Sequence, residues 1–185
     1  MQYHTKLSPG DVAPYVLLPG DPKRVPVVAS YWDEAHLVAD NREHVTYTGV
    51  YKGMPISCTS TGMGCPSTAI AMEELARVGA KTFLRIGTCG TFQDFIHNGD
   101  IIVFDSACRY EGTSKLYVPP EFPAVAHHQV IQACADAVEA LGYPYHTLEQ
   151  HAPLTPSLPA IPRPGPLITA IGTPPGPTSL KICVV

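Results

Sequence analysis

The chain has 185 residues, of which 45 % are hydrophobic and 15 % charged, and its formal net charge at pH 7 is −4. This composition predicts a globular protein with one sizeable core. The net negative charge does not indicate a surface that binds nucleic acid. The amino terminus shows no apolar signal region, and no apolar run approaches the roughly 18 residues of a membrane span, so we expect no membrane partner.

The first signal along the chain is the stretch YVLLPGDPKR, which runs from Tyr15 to Arg24. Tyr15 to Leu18 reads as a buried strand that ends in a glycine turn, two basic residues follow, and a helix is predicted over about 22–31. A strand, a glycine turn and a basic helix start can cradle a phosphate. The PGDP sequence is also typical of an ordinary turn. This pattern alone therefore leaves open whether the turn binds phosphate.

A longer unit follows, in which each of two strands runs into a glycine loop. It consists of a strand at 54–59, a loop at 61–64, a helix at 66–78, a strand at 81–86 and a loop at 87–90. Ligands of open α/β sheets bind just beyond the carboxyl ends of strands, and free backbone N–H groups with threonine hydroxyls suit an anion. Arg85 lies inside the second strand, where a charge needs a partner. That strand alone favours a structural salt bridge, whereas the loop after it favours an anion ligand.

The later part of the chain contributes further strands and one helix. We predict strands at 100–106 and 143–148 and a helix over 124–141 that ends at Gly142. His127 and His128 are adjacent, and adjacent helical residues point in different directions, so we interpret them as surface residues and not as a metal pair. The six cysteines, at positions 58, 65, 89, 108, 134 and 183, lack zinc-binding spacing and indicate reduced thiols in a cytoplasmic protein.

Four segments together resemble the nucleoside phosphorylase family, and within it the bacterial uridine phosphorylase type. They are LLPGDPKRV (17–25), NREHVTYTGVYKGMPIS (41–57), STGMGCPSTAIAMEELARVGAKTFLRIGTCG (60–90) and PPEFPAVAHH (119–128). The resemblance covers roughly residues 3–148, in order and with natural spacing. It implies an α/β three-layer αβα sandwich with a mixed central sheet, incomplete in this chain. The strands expected in that sheet are 15–18, 45–50, 55–59, 82–86, 101–105 and 143–147.

Members of this family use phosphate to cleave the N-glycosidic bond of a nucleoside, which yields a free base and a pentose 1-phosphate. The resemblance therefore implies inorganic phosphate as co-substrate, no organic cofactor, and a homo-oligomer with shared sites. It assigns phosphate binding to Gly20, Arg24, Arg85 and Thr88, and to Arg42 reaching into the neighbouring subunit.

The resemblance also implies residues for the sugar, the base and a cation. His4 matches a histidine that crosses the subunit interface to the ribose 5′-hydroxyl, and Gly90 lies where the family's loop passes the base. Glu43, Met63 and Ser67 match positions that hold a monovalent cation, K⁺, between subunits in some members.

The composition changes sharply after residue 150. Residues 151–185 contain nine prolines, no acidic or aromatic residue, and only Arg163 and Lys181 as fixed charges. We predict a truncated phosphorylase-like α/β domain over 1–150 and a proline-rich, disordered tail over 151–185, which an out-of-frame or alternatively spliced end would explain. The alternative is a natural proline-rich tail, in which LPAIPRPGP offers a PxxP-like partner ligand.

The family's Met-Glu-x-Glu-Ser motif, which holds the ribose hydroxyls, has no counterpart in this sequence, nor does the segment that reads the base. We expect the catalytic residues in that missing part. Three functions therefore stay open: phosphorolysis of uridine-type nucleosides, a remnant without activity that binds phosphate or full-length subunits, and phosphorolysis of purine nucleosides.

Overall fold

The computed structural model describes residues 1–90, 93–109 and 111–148, so the predicted tail at 151–185 lies outside the described residues. The chain divides into two units, Met1–Ile86 and Gly87–Val185. The strands are β1 (Tyr15–Leu18), β2 (Glu34–Asn41), β3 (His44–Tyr51), β4 (Met54–Thr59), β5 (Thr82–Arg85), β6 (Ile101–Phe104), β7 (Ser106–Ala107), β8 (Ala124–Val125) and β9 (Tyr145–Leu148). The helices are α1 (Arg24–Ala29), α2 (Cys65–Arg77) and α3 (His128–Ala140), and a 3₁₀ turn spans Ser114–Leu116. None of the helices in the described ranges has the length and apolar run that a membrane crossing needs.

The first unit is built on a mixed five-stranded sheet in the order β2-β3-β4-β1-β5, which confirms the predicted α/β class. β1 runs parallel to both β4 and β5, whereas β2, β3 and β4 are antiparallel neighbours. Leu17 pairs with Cys58, and Leu18 pairs with Arg85. The carboxyl ends of β1, β4 and β5 therefore lie at one edge of the sheet, and the loops that follow β1 and β4 meet there.

Helix α2 packs on β1 through a small core that is excluded from water. Leu75 and Val78 lie in one buried cluster with Leu7, Val16 and Leu18. The helix starts after Gly64, which has φ of 88°, and a proline occupies its first turn, where a missing N–H removes no hydrogen bond. A glycine at position 79 with φ of 120° follows the helix. The predicted helix at 66–78 is thus confirmed to within one residue at each end.

Strand β2 is an element that the sequence did not predict. Its residues Glu34–His36 are exposed, and it pairs with β3 from Glu34 opposite Val50 to Asn41 opposite His44. The pairing has an irregularity between Leu37 and Ala39. Because this strand is held by backbone pairing with β3 more than by burial, its sequence lacks the regular alternation that marks a half-buried strand.

The second unit contains two short sheets and α3. The four residues of β6 are all buried, and β6 pairs with β9 in parallel, with Ile101 opposite Tyr145. These two strands, which we expected in the central sheet, form a two-stranded sheet of their own, and α3 contacts both.

The predicted start of the last helix at residue 124 is wrong. Ala124 and Val125 instead form β8, which pairs with β7, and the helix begins at His128. His127 has an extended backbone and precedes the first helical residue. The predicted first turn of the helix is therefore taken up by the β7–β8 pair. His127 and His128 are both exposed, as predicted, but their rings stack with centroids 4.9 Å apart and do not point apart.

Candidate functional site

Two glycine loops of the first unit are joined by backbone hydrogen bonds at the carboxyl edge of the sheet. Thr61 N donates to Pro19 O at 2.9 Å, and Gly62 N donates to Gly20 O at 3.0 Å. A Cβ atom on Gly20 would lie 3.1 Å from Arg85 Nη2 and 3.4 Å from Gly62 O. A side chain at residue 20 would therefore require the guanidinium of Arg85 to move by a few tenths of an ångström.

Arg85 projects from the end of β5 into this junction. Its side chain is only 7 % exposed, and Nη1 donates to Leu18 O at 2.7 Å and to Thr61 Oγ1 at 3.2 Å. Both of these acceptors are uncharged oxygens, and they orient the guanidinium toward the junction. The structure thus brings Gly20 and Arg85 together, and the hydroxyl of Thr61, which the sequence analysis counted among the groups suited to an anion, contacts Arg85.

The two other arginines assigned to phosphate binding, Arg24 and Arg42, lie on the first unit outside this junction. Arg24 is the first residue of α1, directly after the β1 loop, and it is half-buried. Arg42 lies in the turn between β2 and β3, is exposed, and has a left-handed backbone with φ of 56°. Arg42, Lys23, Asp40 and Tyr47 line part of a shallow cavity of about 330 Å³. The exposure of Arg42 leaves its guanidinium accessible to another molecule.

Thr88 and Gly90 belong to the second unit, in the segment that follows β5. Thr88 is half-buried and Gly90 is exposed. A Cβ on Gly90 would meet no atom within 4 Å, so packing does not require glycine there. Their roles in phosphate and base binding stay predictions.

The residues assigned to a cation form an oxygen-rich corner around the second glycine loop. Ser67 Oγ lies 2.6 Å from Thr61 O and 3.0 Å from Glu43 Oε1, and a single hydroxyl proton can serve only one of these acceptors. Hydrogen bonds from its own backbone and from Ser67 hold the pKa of Glu43 below its usual range, so this carboxyl is ionised at neutral pH. Met63 is 90 % exposed.

These oxygens fit a hard cation, because a carboxylate, a hydroxyl and a carbonyl are the ligand types that such ions prefer. Gly62 makes room for them: it has φ of 69°, and a Cβ there would lie 2.6 Å from Glu43 Cγ and 2.9 Å from Ser67 Oγ. No cluster of three or more His, Cys, Asp or Glu residues is found in the described ranges, so no transition-metal centre is indicated there.

Glu74 is a site residue that the sequence reasoning missed. It lies on α2, is only 6 % exposed, and accepts hydrogen bonds from His4 N, His4 Nδ1, Thr5 N and Thr5 Oγ1. Burial disfavours the charged form, but the hydrogen bonds from Thr5 and His4 outweigh it and hold the pKa of Glu74 at about 2. The available signal was a second glutamate next to Leu75, on the apolar side of the helix.

Arg109 was also missed, and it organises a loop of the second unit. Its guanidinium donates to the carbonyl oxygens of Ser114, Val118, Pro119 and Phe122. These acceptors lie 5 to 13 residues further along the chain. Arg109 therefore fixes the path of the loop that leads into the PPEFPAVAHH segment (119–128). No local pattern in the sequence indicates such a contact.

Comparison with known proteins identifies the family of the chain. Residues 14–148 match the family model of the Phosphorylase superfamily. The chain is 59 % identical over 146 residues to a uridine phosphorylase of Thermococcus kodakarensis, 44 % over 171 residues to a uridine phosphorylase of Treponema pallidum, and 45 % over 138 residues to a guanosine phosphorylase of Halorubrum lacusprofundi. These alignments cover 79 %, 83 % and 75 % of this chain, and 53 %, 66 % and 57 % of the three relatives. The chain thus spans between about half and two thirds of the length of these relatives.

Proposed function

Because this chain belongs to the phosphorylase superfamily, as a nucleoside phosphorylase of the uridine phosphorylase type, we propose that it acts in the phosphorolysis of uridine-type nucleosides. In this reaction a phosphate oxygen bonds to C1′ while the bond from C1′ to the base nitrogen breaks, and the base takes up a proton. The products are a free base and a pentose 1-phosphate, which places the reaction in nucleoside salvage. The observation that carries the proposal is the Arg85 guanidinium held against the Gly20 turn where two glycine loops meet.

We assign phosphate binding to Gly20, Arg24, Arg85 and Thr88 and to the neighbour's Arg42, because the resemblance implies all five. Phosphate carries close to two negative charges at neutral pH, and planar guanidinium groups bind and orient it through paired hydrogen bonds. A glycosyl transfer passes through a state with oxocarbenium character, so a phosphate held beside C1′ both stabilises that positive charge and attacks it. The burial of Arg85 supports this assignment, because a charge in a water-poor site interacts more strongly with its ligand.

We also infer a homo-oligomer in the cytoplasm, in which His4 meets the ribose and Gly90 lies beside the base. The exposed Arg42 supports a shared site, because its side chain is accessible on the surface of the first unit. The oxygens of Glu43 and Ser67 support K⁺ binding near Met63, with no organic cofactor. When bound there, the ion would join the segment before β3 to the start of α2.

A purine nucleoside is the second candidate substrate. The guanosine phosphorylase of Halorubrum lacusprofundi is 45 % identical over 138 residues, which is similar to the 44 % of the Treponema pallidum uridine phosphorylase. Identity of this degree therefore favours neither base by itself, and the 59 % identity to the Thermococcus kodakarensis protein supports uridine.

The test is phosphate-dependent release of base by the purified 185-residue chain. Uridine, inosine and guanosine are each supplied with and without phosphate, and folding is checked by circular dichroism. We expect uracil release that requires phosphate and is faster than release of either purine. Faster purine release would move the assignment to the second candidate. A folded chain that releases no base, and that still binds phosphate, would show a binding protein and contradict the proposed reaction.

A further inference from the structure

The amino-terminal residues His4 and Thr5 converge on one buried carboxylate. Glu74 Oε2 accepts from Thr5 N at 2.7 Å and from Thr5 Oγ1 at 2.8 Å, and Oε1 accepts from His4 N at 3.1 Å. Oε1 also lies 2.8 Å from His4 Nδ1. The three contacts to backbone and hydroxyl groups are sufficient to hold the segment on α2, so the imidazole contact is an addition to that clamp.

This fourth contact decides which ring nitrogen of His4 carries the proton. An ionised carboxylate can only accept hydrogen bonds, and Glu74 is ionised at neutral pH because its pKa is about 2. Nδ1 of His4 must therefore carry a hydrogen. In the neutral imidazole Nε2 then carries no hydrogen, so it can accept a hydrogen bond from a hydroxyl group.

Neighbouring groups restrict the His4 ring further while leaving part of it accessible. The Tyr3 ring meets it edge-on, with centroids 4.9 Å apart and an interplanar angle of 82°. Asn41 Nδ2 donates to His4 O at 2.6 Å, which ties the same residue to the end of β2. The His4 side chain remains 33 % exposed. A ring that is fixed at one edge and accessible elsewhere is arranged to meet a ligand in one orientation.

We propose that Glu74 is a positioning residue, which fixes His4 in the Nδ1-protonated form so that Nε2 accepts a hydrogen bond from a sugar hydroxyl. The proposal rests on the proposed function, in which His4 meets the ribose 5′-hydroxyl. It adds a residue of α2, remote in sequence from His4, to the groups that determine recognition of the sugar. A purely structural role of Glu74 would require only its contacts to the backbone and hydroxyl groups of His4 and Thr5.

The first test reads the tautomer directly and does not require activity. The ¹⁵N chemical shifts of the His4 ring are measured in the full chain and in the variants E74Q, E73Q and T5V. We expect Nδ1–H in the unaltered chain and a shift toward Nε2–H in E74Q, because a neutral amide no longer demands a donor at Nδ1. Glu73 is its exposed neighbour on α2, and T5V removes one hydrogen bond to Glu74 without touching His4, so both controls keep the Nδ1–H form. Nε2–H in the unaltered chain, or an unchanged tautomer in E74Q, would overturn the proposal.

The second test separates positioning from structural support by using a substrate without the 5′-hydroxyl. Steady-state phosphorolysis of uridine and 5′-deoxyuridine is compared in the unaltered full chain and in E74Q. We expect kcat/KM for uridine to fall about tenfold in E74Q and that for 5′-deoxyuridine to change less than about twofold, as the loss of one hydrogen bond predicts. Equal losses on both substrates would assign Glu74 a structural role only. If the unaltered chain releases no base, the proposed function fails, and the tautomer measurement still decides whether Glu74 positions His4.

Discussion

Gly20 and Arg85 are in close contact: a Cβ at residue 20 would lie 3.1 Å from Arg85 Nη2, so the guanidinium would have to move by a few tenths of an ångström to admit a side chain. The two residues come from different parallel strands, β1 and β5, whose ends are aligned by the pairing of Leu18 with Arg85. The register of the sheet therefore sets the distance between the glycine turn and the arginine. A phosphate that binds at this junction can contact backbone and guanidinium together.

Replacement of Gly20 by alanine is expected to weaken phosphate binding about tenfold. The added methyl group presses on Arg85 Nη2 and on Gly62 O, and overpacking of this kind costs about 1–3 kcal/mol. Isothermal titration with inorganic phosphate measures the effect. Gly112→Ala is the matched control, because a Cβ there meets no atom within 4 Å. Unchanged phosphate affinity in Gly20→Ala would show that this junction is not the anion site.

Arg85→Lys should lower both the phosphate affinity and the free energy of unfolding. Lysine cannot reproduce the fixed fork of a guanidinium, so the hydrogen bonds to Leu18 O and Thr61 Oγ1 are not both kept. The loss of one hydrogen bond to a charged group predicts about 2 kcal/mol, measured by urea denaturation.

Arg77→Lys is the control for that measurement. Arg77 is 64 % exposed and lies 3.5 Å from Glu73 in a surface pair, for which a change below about 0.5 kcal/mol is expected. Equal destabilisation by the two substitutions would contradict the structural role assigned to Arg85.

The parts of this site that the sequence predicted are those with local causes. Pro19 to Pro22 and the glycines at 62 and 64 signal turns through their own backbone preferences, and the strands before them are short apolar runs. The partners of Glu74 and Arg109 could not be predicted, because they lie 5 to 70 residues away along the chain. Their positions depend on how the elements pack.

Gly62→Ala should destabilise the chain by about 2 kcal/mol more than Gly53→Ala. Both glycines have positive φ, 69° and 78°. Alanine is disfavoured in this conformation, so each substitution should lower the free energy of unfolding by a similar amount, about 1 kcal/mol. Only at Gly62 does the new Cβ meet other atoms, 2.6 Å from Glu43 Cγ and 2.9 Å from Ser67 Oγ. The difference between the two midpoints of urea denaturation isolates this steric term. Equal midpoints would mean that the corner around Glu43 can relax without loss.

The buried Glu74 predicts a loss of stability at acid pH. Its pKa is about 2 in the folded chain and 4.5 in the reference state, so the folded state favours the carboxylate. A lowered folded pKa contributes stability that is present above about 4.5 and is lost as the pH falls from there toward about 2. The shift corresponds to at most about 3 kcal/mol. We expect the advantage of the unaltered chain over E74Q in free energy of unfolding to shrink across this window, and a pH-independent advantage would contradict the assignment.

Arg42 and Arg85 should complement each other between subunits if the site is shared. Arg42 is exposed on the turn after β2, whereas Arg85 is buried at the end of β5, so Arg42→Gln should reduce uridine phosphorolysis while leaving the midpoint of urea denaturation unchanged.

In a two-fold dimer each site would use Arg85 of one subunit and Arg42 of the other. A mixed dimer of Arg42→Gln and Arg85→Gln chains then contains one site with both arginines and one site with neither. If each variant alone is nearly inactive, random mixing makes half of the dimers mixed, so about one quarter of the original activity should return. If Arg42 served its own subunit instead, every site in every dimer would lack one arginine, and mixing the variants would restore nothing.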